Sequence, residues 1–297
     1  MVSCSMRYSS LSLMAPVSPL VGPYTEVMSE GTPSRPVVVG YDSSEMAGRA
    51  VTWAAGAAER MGVPLRVIAA RENDAQPVRS AEALDAVRRT HPDLPASGED
   101  PVGTGAGVMV RAGDDATMLV MGNRGRGRIT SAFLGTVSMT TAQHAACPVV
   151  IIHGDTATDA APRSIVVGAD GSASSTAALD FALSLVAAGG TITLLLCWST
   201  MPQDSTDPVP AVAYAMLEQT LAGRSKPGVG IDLVARPGHP RNVLVTASET
   251  ADLMVVGRRG QEGFKGLKLG TVAQHALMGA RCPVAVVTAP PAVTEQR

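Results

Sequence analysis

Short apolar runs rich in valine recur along the chain, and between most of them lie longer stretches whose apolar positions return at helical spacing. In the second half the runs fall at 164–169, 191–197, 230–235, 252–257 and 283–288, and in the first at 36–41, 65–70, 117–122 and 148–152. Runs that are continuously apolar rather than alternating, and that are separated by helical segments, predict parallel strands buried on both faces. One strand is missing from this pattern. "LPASGEDP", 94–101, where the third strand of the first half is expected, is polar and bounded by proline, and "VMVRAG" after it aligns instead with the helical "VLVTAS" at 243–248. A flavodoxin-like strand order, 3-2-1-4-5, puts the third strand at a sheet edge, where weak pairing does least harm.

The two halves are copies of one plan. "RPVVVGYDSSEMAGRAVTWAAGAAERMGVPLRVIAA", 35–70, is answered by "RSIVVGADGSASSTAALDFALSLVAAGGTITLLLCW", 163–198. "MLVMGNRGRGRITSAFLGTVS" is answered by "LMVVGRRGQEGFKGLKLGTVA" 135 residues later, and the copies close on "CPVVII" and "CPVAVV". The expectation is therefore two tandem α/β domains, each a five-stranded parallel sheet with helices on both faces, at 34–153 and 163–289, joined by a linker at 154–162 and followed by a tail at 290–297. Residues 1–33 read as a disordered leader. Pro16, Pro19 and Pro23 break its only apolar run, no clean small-residue cleavage site follows, and "MSEGTPSRPVVVGYD" from Met28 suits the natural start of a folded domain. Trp53 and Phe181, at matching positions of the first helix, read as core, as do Cys147 and Cys282 as small buried hydrophobes. The fifth strands, apolar and at exposed sheet edges, are expected to pair with each other within the chain, with a homodimer of chains as the next level.

Composition narrows the function classes. With 24 basic and 26 acidic side chains the formal net charge is −2, so no overall positive field gathers nucleic acid or anionic membrane, and 3% aromatic content leaves few rings for stacking on bases. No apolar run approaches the ~20 residues of a membrane span. Four cysteines in 297 residues, none in a CxxC pair, point to a reducing, cytoplasmic setting rather than a disulfide scaffold.

"MGNRGRGRITSAFLGT", 121–136, suits either a phosphate cradle or a flexible basic strip for RNA. The repeat separates the two. The second copy turns "RGRGR" into "RRGQEG" but keeps every spaced glycine: Gly122, Gly125, Gly135 and Thr136 spell G-x2-G-x9-G-T, and Gly257, Gly260, Gly270 and Thr271 spell it again. Each stretch leaves the carboxyl end of strand four, where open parallel sheets bind ligands, and the later Gly-Thr opens a helix whose free N–H groups suit an anion. Glycine allows close backbone approach to phosphate and positive φ. Asp42 and Asp170, just past strand one, could meet a ribose hydroxyl or help hold Mg²⁺; capping the helix that follows is the other reading. Arg124, Arg126, Arg128, Arg258, Arg259, Lys265 and Lys268 could pair with phosphate or line a solvated basic loop. His144 and His275 do not keep register between the copies, which favours helix-face residues over metal ligands.

The paired "VVVGYDSS" and "VVGADGS" strands, the duplicated glycine stretches and the "HAACPVVII" ending resemble the universal stress protein family, in the tandem form common in actinobacteria. The resemblance spans about Pro36 to Thr288. It implies ATP, with Mg²⁺, bound in each half, adenine near strands one and two and phosphates over the glycine loop. Carried onto this chain, the first site would use Gly40, Asp42, backbone around Ala69, Gly122, Asn123, Arg124, Gly125, Arg126, Gly127, Arg128, Gly135, Thr136, Val137 and Ser138. The second would use Gly168, Asp170, backbone around Cys197, Gly257, Arg258, Arg259, Gly260, Gln261, Glu262, Gly263, Gly270, Thr271, Val272 and Ala273. Two departures bear on the sites: Ala273 lacks the hydroxyl of Ser138, and Thr117 stands where the second copy has Asp252. With no Walker lysine, Ser-His-Asp grouping or evident general base, a nucleotide-dependent regulator of stress response or growth is the expectation, binding without turnover. The alternative is a slow ATPase or an ATP pyrophosphatase, against which the "YDSSE" and "ADGSA" turns speak.

Overall fold

The structure is a computed structural model that describes residues 6–8, 34–71, 73, 79–125, 134–154, 158–198, 209–261 and 268–289. The first half runs β2 (Val37–Gly40), α1 (Glu45–Met61), β3 (Leu65–Ile68), α2 (Ser80–Thr90), β4 (Ala96–Glu99), α3 (Gly105–Ala112), β5 (Met118–Gly122), α4 (Thr136–His144) and β6 (Val149–Ile152). The second repeats it as β7 (Ser164–Ala169), α5 (Ala173–Leu185), β8 (Thr191–Trp198), α6 (Val209–Leu221), β9 (Gly230–Pro237), α7 (Pro240–Ala247), β10 (Leu253–Gly257), α8 (Thr271–Gly279) and β11 (Val284–Val287). Within the leader, β1 (Met6–Tyr8) lies antiparallel against β9, so these three residues are a strand and not the structureless segment expected; backbone pairing to an open edge needs no apolar pattern. The rest of the leader and the tail lie outside the described residues.

All the strands join one sheet in the order β1-β9-β8-β7-β10-β11-β6-β5-β2-β3-β4. The polar "LPASGEDP" segment does hold a strand. β4 pairs in parallel with β3 at the far edge, and its Ser97 and Glu99 are exposed. An apolar pattern is absent because the position under α2 is Gly98: a Cβ there would lie 2.8 Å from Leu84 and from Ser80. Asp100, just past β4, accepts the backbone N–H groups of Arg79 (2.7 Å) and Ser80 (3.3 Å) and so closes the start of α2.

The two halves meet through their fifth strands. β6 and β11 pair antiparallel, with Val149 opposite Val286, Val150 opposite Ala285 and Ile151 opposite Val284, all fully or almost fully buried. The helices divide between the faces: α1, α2, α5 and α6 cover the core that holds Trp53 and Phe181, while α3, α4, α7 and α8 cover the core that holds Cys147 and Cys282. The connecting segment folds back over α1. Arg49 donates to the carbonyl of Gly154 (2.7 Å), Arg60 donates to that of Asp159, and Gly56 leaves room for the Asp159 backbone. No helix among the described residues is long and apolar enough to cross a membrane.

Val150→Lys places a charge in this seam, where water cannot reach it and Ala285 offers no partner. It should lower stability by about 3 kcal/mol or more in denaturant titration; an unchanged midpoint would show that the seam is not closed in solution.

Candidate functional site

Each half gathers the same parts at the carboxyl ends of its first and fourth strands. Asp42 follows β2 and Asp170 follows β7. One carboxylate oxygen of each accepts the N–H two residues on, Ser44 and Ser172, at 3.0 Å in both cases. Between them Ser43 and Gly171 adopt φ of 63° and 75°, a left-handed turn that glycine takes freely and serine at some cost. The helices themselves are capped by Ser44, whose hydroxyl oxygen accepts from Ala47 N–H (3.2 Å), and by Ser172, which accepts from Ser175 N–H (3.1 Å). Capping thus falls to the serines and not to the aspartates, because the left-handed turn sets the aspartate back from the helix start.

The second carboxylate oxygen of each aspartate faces the glycine loop. A Cβ on Gly125 would sit 2.5 Å from Asp42 Oδ2, and one on Gly260 would collide with Asp170 Oδ2. Gln261 N–H donates to that same Asp170 oxygen at 3.0 Å. Asp170 therefore brackets the turn after strand one to the glycine loop, and Asp42 lies equally close to its own loop. The spaced glycines serve other ends than the positive φ expected of them, which none of Gly122, Gly125, Gly135, Gly257, Gly260 and Gly270 adopts. Gly122 and Gly257 let the helices sit down on the sheet: a Cβ would come within 2.9 Å of the Met46 backbone or 2.7 Å of Ser174 Cβ. Gly40 and Gly168 pack beneath α3 and α7, each 3.3 Å in Cβ terms from a neighbouring side chain, Met109 or Val256.

The facing jaw is a helix start. Gly135 and Gly270 are the N-caps of α4 and α8, and neither helix has a side-chain cap, whereas α1, α3, α5 and α7 all do. The leading N–H groups of Thr136, Val137 and Ser138, and of Thr271, Val272 and Ala273, have no carbonyl earlier in their own helix to bond. Thr136 and Thr271 are exposed. Each jaw is tied to its loop by one backbone bond, Gly135 N–H to Asn123 O and Gly270 N–H to Arg258 O, both 2.8 Å. Glycine loop, aspartate and helix start lie together at the carboxyl edge of the sheet, where the leading N–H groups suit an anion.

Several expected residues stand elsewhere. The Ser138 hydroxyl is buried and donates inward to Gly122 O (2.8 Å), so its absence at Ala273 removes a brace and not a ligand contact. Thr117 and Asp252 sit at the opposite end of the strands, where Thr117 donates to Arg35 O (2.6 Å) and Asp252 accepts from Arg163 and Ser164 N–H (2.8 and 2.9 Å). Arg258 turns away from its own loop and donates from Nη1 to Ala145 O (2.8 Å), at the end of α4 in the other half. Its half-burial there lowers its pKa by desolvation. Arg124, Arg259, Gly125 and Gly260 are exposed in the loops, as is Lys268 beyond them. Arg126, Gly127, Arg128, Glu262, Gly263 and Lys265 lie outside the described residues.

One buried polar side chain, His153, escaped the sequence reading, and Asn123, expected at the first site, lies beside it. Asn123 Nδ2 lies 3.4 Å from His153 Nδ1, just past β6, while Asn123 Oδ1 and His153 Nε2 are buried without partners among the described residues. Burial, helped by Arg124, holds His153 down at a pKa of about 4. The sequence signal was available: the matching position of the second half is Thr288. Burial raises the thiols of Cys147 and Cys282 to about 12 and of Cys197 to about 11, as inert packing groups. His144 and His275 bond the carbonyls four residues back on their helices (2.9 and 2.7 Å), and no group of three or more metal-ligating side chains occurs among the described residues.

The architecture defines a tandem α/β protein with the same arrangement of turn, glycine loop and helix start in each half, and comparison with known proteins gives its class. The chain belongs to the universal stress protein family, whose model matches residues 33–115, 102–153 and 162–288. It is similar to two universal stress proteins of Mycobacterium tuberculosis strain H37Rv, 31% identical over 291 residues (87% of this chain, 98% of the relative) and 30% identical over 295 residues (87% and 99%). Among solved structures, a universal stress protein from Archaeoglobus fulgidus shares the fold at 19% identity, with a TM-score of 0.63 over 87% of this chain and 97% of that one.

His153 makes stability depend on pH with a definite sign. Its folded pKa of about 4 lies below the ordinary 6.5, so between those values the unfolded chain takes a proton that the folded chain refuses. Stability falls as pH falls through this window, by about 3 kcal/mol in total from this group. His153→Thr should remove that part of the acid sensitivity, read as the difference in urea midpoints at pH 7 and pH 4.5; equal losses in both proteins would place the titrating group elsewhere.

Proposed function

We propose that each half binds one ATP, carried with Mg²⁺, and that the chain is a cytoplasmic, nucleotide-dependent regulator of stress response or growth that binds without turnover. The observation that carries this reading is the pair of helices, α4 and α8, that begin without side-chain caps beside a glycine loop at the carboxyl end of a parallel strand. Phosphate oxygens would take those leading N–H groups, helped by the helix dipole and the exposed Thr136 and Thr271 hydroxyls. The base and ribose would lie toward Gly40, Asp42 and Ala69 in the first half, and toward Gly168, Asp170 and Cys197 in the second. Mg²⁺ would be held largely by the phosphates, with at most one carboxylate from each half, Asp42 or Asp170.

What surrounds the jaws supports binding rather than hydrolysis. Asp42 and Asp170 are positioned by backbone N–H groups of their own turn, and Asp170 by the loop as well, as structural braces of the site. A nucleotide that takes the helix N–H groups would favour one arrangement of loop and helix, which a partner protein reads. The seam already occupies the fifth-strand edges, so the homodimer of chains proposed with this reading uses other surfaces.

Calorimetric titration with MgATP should give two sites per chain, with AMP weaker at both because it lacks the phosphates that reach the helices. Gly125→Glu should close the first site and Gly260→Glu the second, each variant retaining one ATP and its fold. Absence of ATP binding, or two intact sites in either folded variant, would overturn the reading.

A further inference from the structure

Arg258 joins the second glycine loop to the other half of the molecule. It is the first residue past β10, and its backbone is fixed at both ends: its N–H donates to Val287 O in β11 (2.7 Å), and its carbonyl accepts from Gly270 N–H at the start of α8 (2.8 Å). Its side chain crosses the seam and donates to Ala145 O, the C-cap of α4 (2.8 Å). The N-terminus of that same α4 is the phosphate-facing jaw of the first site. A single residue of the second loop thus bonds the facing helix start through its carbonyl and the far end of the first site's jaw through its guanidinium.

The copies differ here. The matching residue of the first loop, Asn123, makes the same two backbone bonds, to Ile152 O (3.0 Å) and from Gly135 N–H (2.8 Å). Its side chain stays within its own half, beside His153. α4 therefore receives a cation at its C-terminal carbonyls, where a positive charge is favourable, and among the described residues no side chain of the first loop makes the matching bond to α8. α4 is nine residues of hydrogen-bonded helix, stiff over its length, so a group that holds its last carbonyl also restrains its first N–H groups. Ala145 N–H to Thr141 O (2.9 Å) and the Thr141 hydroxyl to Val137 O (2.8 Å) continue the connection back to the first turn.

We propose that Arg258 couples the two sites: a phosphate held between the second loop and α8 adds to the bonds that already fix Arg258, keeps its guanidinium on α4 and thereby tightens the first. This rests on the nucleotide reading above. One contact carries the coupling, yet its effect on affinity is mutual, since linkage requires each ligand to change the other's affinity by the same factor.

The experiment measures the MgATP affinity of the first site, by calorimetry and on the full chain, in wild type with the second site filled, G260E, R258M and R258M combined with G260E, and in R258K with and without G260E. With Arg258 present, closing the second site should weaken the first by about tenfold. In the R258M background the same change should leave it within twofold of its starting value. R258K, which keeps a cation able to reach one carbonyl, should retain most of the factor. Hydrogen exchange without nucleotide gives a second readout: the N–H groups of Thr136 to Met139 should exchange faster in R258M than in wild type. Equal first-site affinities in wild type and G260E, a tighter first site in G260E, or unchanged exchange in folded R258M would overturn the coupling while leaving the sites themselves standing. Failure of every form, wild type included, to bind ATP would end the nucleotide reading and the coupling with it.

Discussion

The antiparallel pairing of β6 with β11 is the constraint on which the rest of the molecule depends. Each half alone would end in an open edge of valine and isoleucine, a surface prone to pair with any other strand. Paired with each other, Val149, Val150 and Ile151 and Val284, Ala285 and Val286 become the middle of one continuous sheet. Burial of such side chains contributes about 1.5–3 kcal/mol each relative to exposure, and the strand hydrogen bonds fix the register. The relative placement of the two halves follows from it, as do the position of α4 beside the second glycine loop and the reach of Arg258 to Ala145.

Within each half a second constraint works at shorter range. The aspartate after strand one is held in its turn by the N–H two residues on, and it presses its other oxygen against the glycine of the loop after strand four. A Cβ at Gly125 or Gly260 would press on that carboxylate oxygen, so a side chain there must push loop and aspartate apart. Opposite lies the helix start, whose leading N–H groups take no side-chain cap among the described residues. Donors therefore face outward from a rigid frame, which is the arrangement a phosphate needs.

Much of this was legible in the sequence because the repeat separates what the fold needs from what varies. Strands with continuous valine runs stood out, and so did the spaced glycines that survive when "RGRGR" becomes "RRGQEG". β4 was hidden because its inward position is Gly98, chosen for room beneath α2 and carrying no apolar signal. The roles of single residues were harder to read. Gly122 and Gly257 look like phosphate glycines yet act as helix seats, and the Ser138 hydroxyl looks like a ligand donor yet points inward. Arg258 reads as a phosphate arginine by its place in the motif; its destination, a carbonyl 113 residues away in sequence, depends on the seam. Spacing along the chain reports which backbone segments meet, whereas the direction of a long side chain is settled by tertiary neighbours.

The most direct test of the duplicated phosphate site is a crystal structure of the full chain grown with saturating MgATP. It should show two nucleotides, one with its phosphate oxygens within hydrogen-bond distance of the N–H groups that open α4, beside Gly125, and one in the same relation to α8, beside Gly260. A nucleotide bound away from both helix starts, or both helix starts bare at saturation, would contradict it.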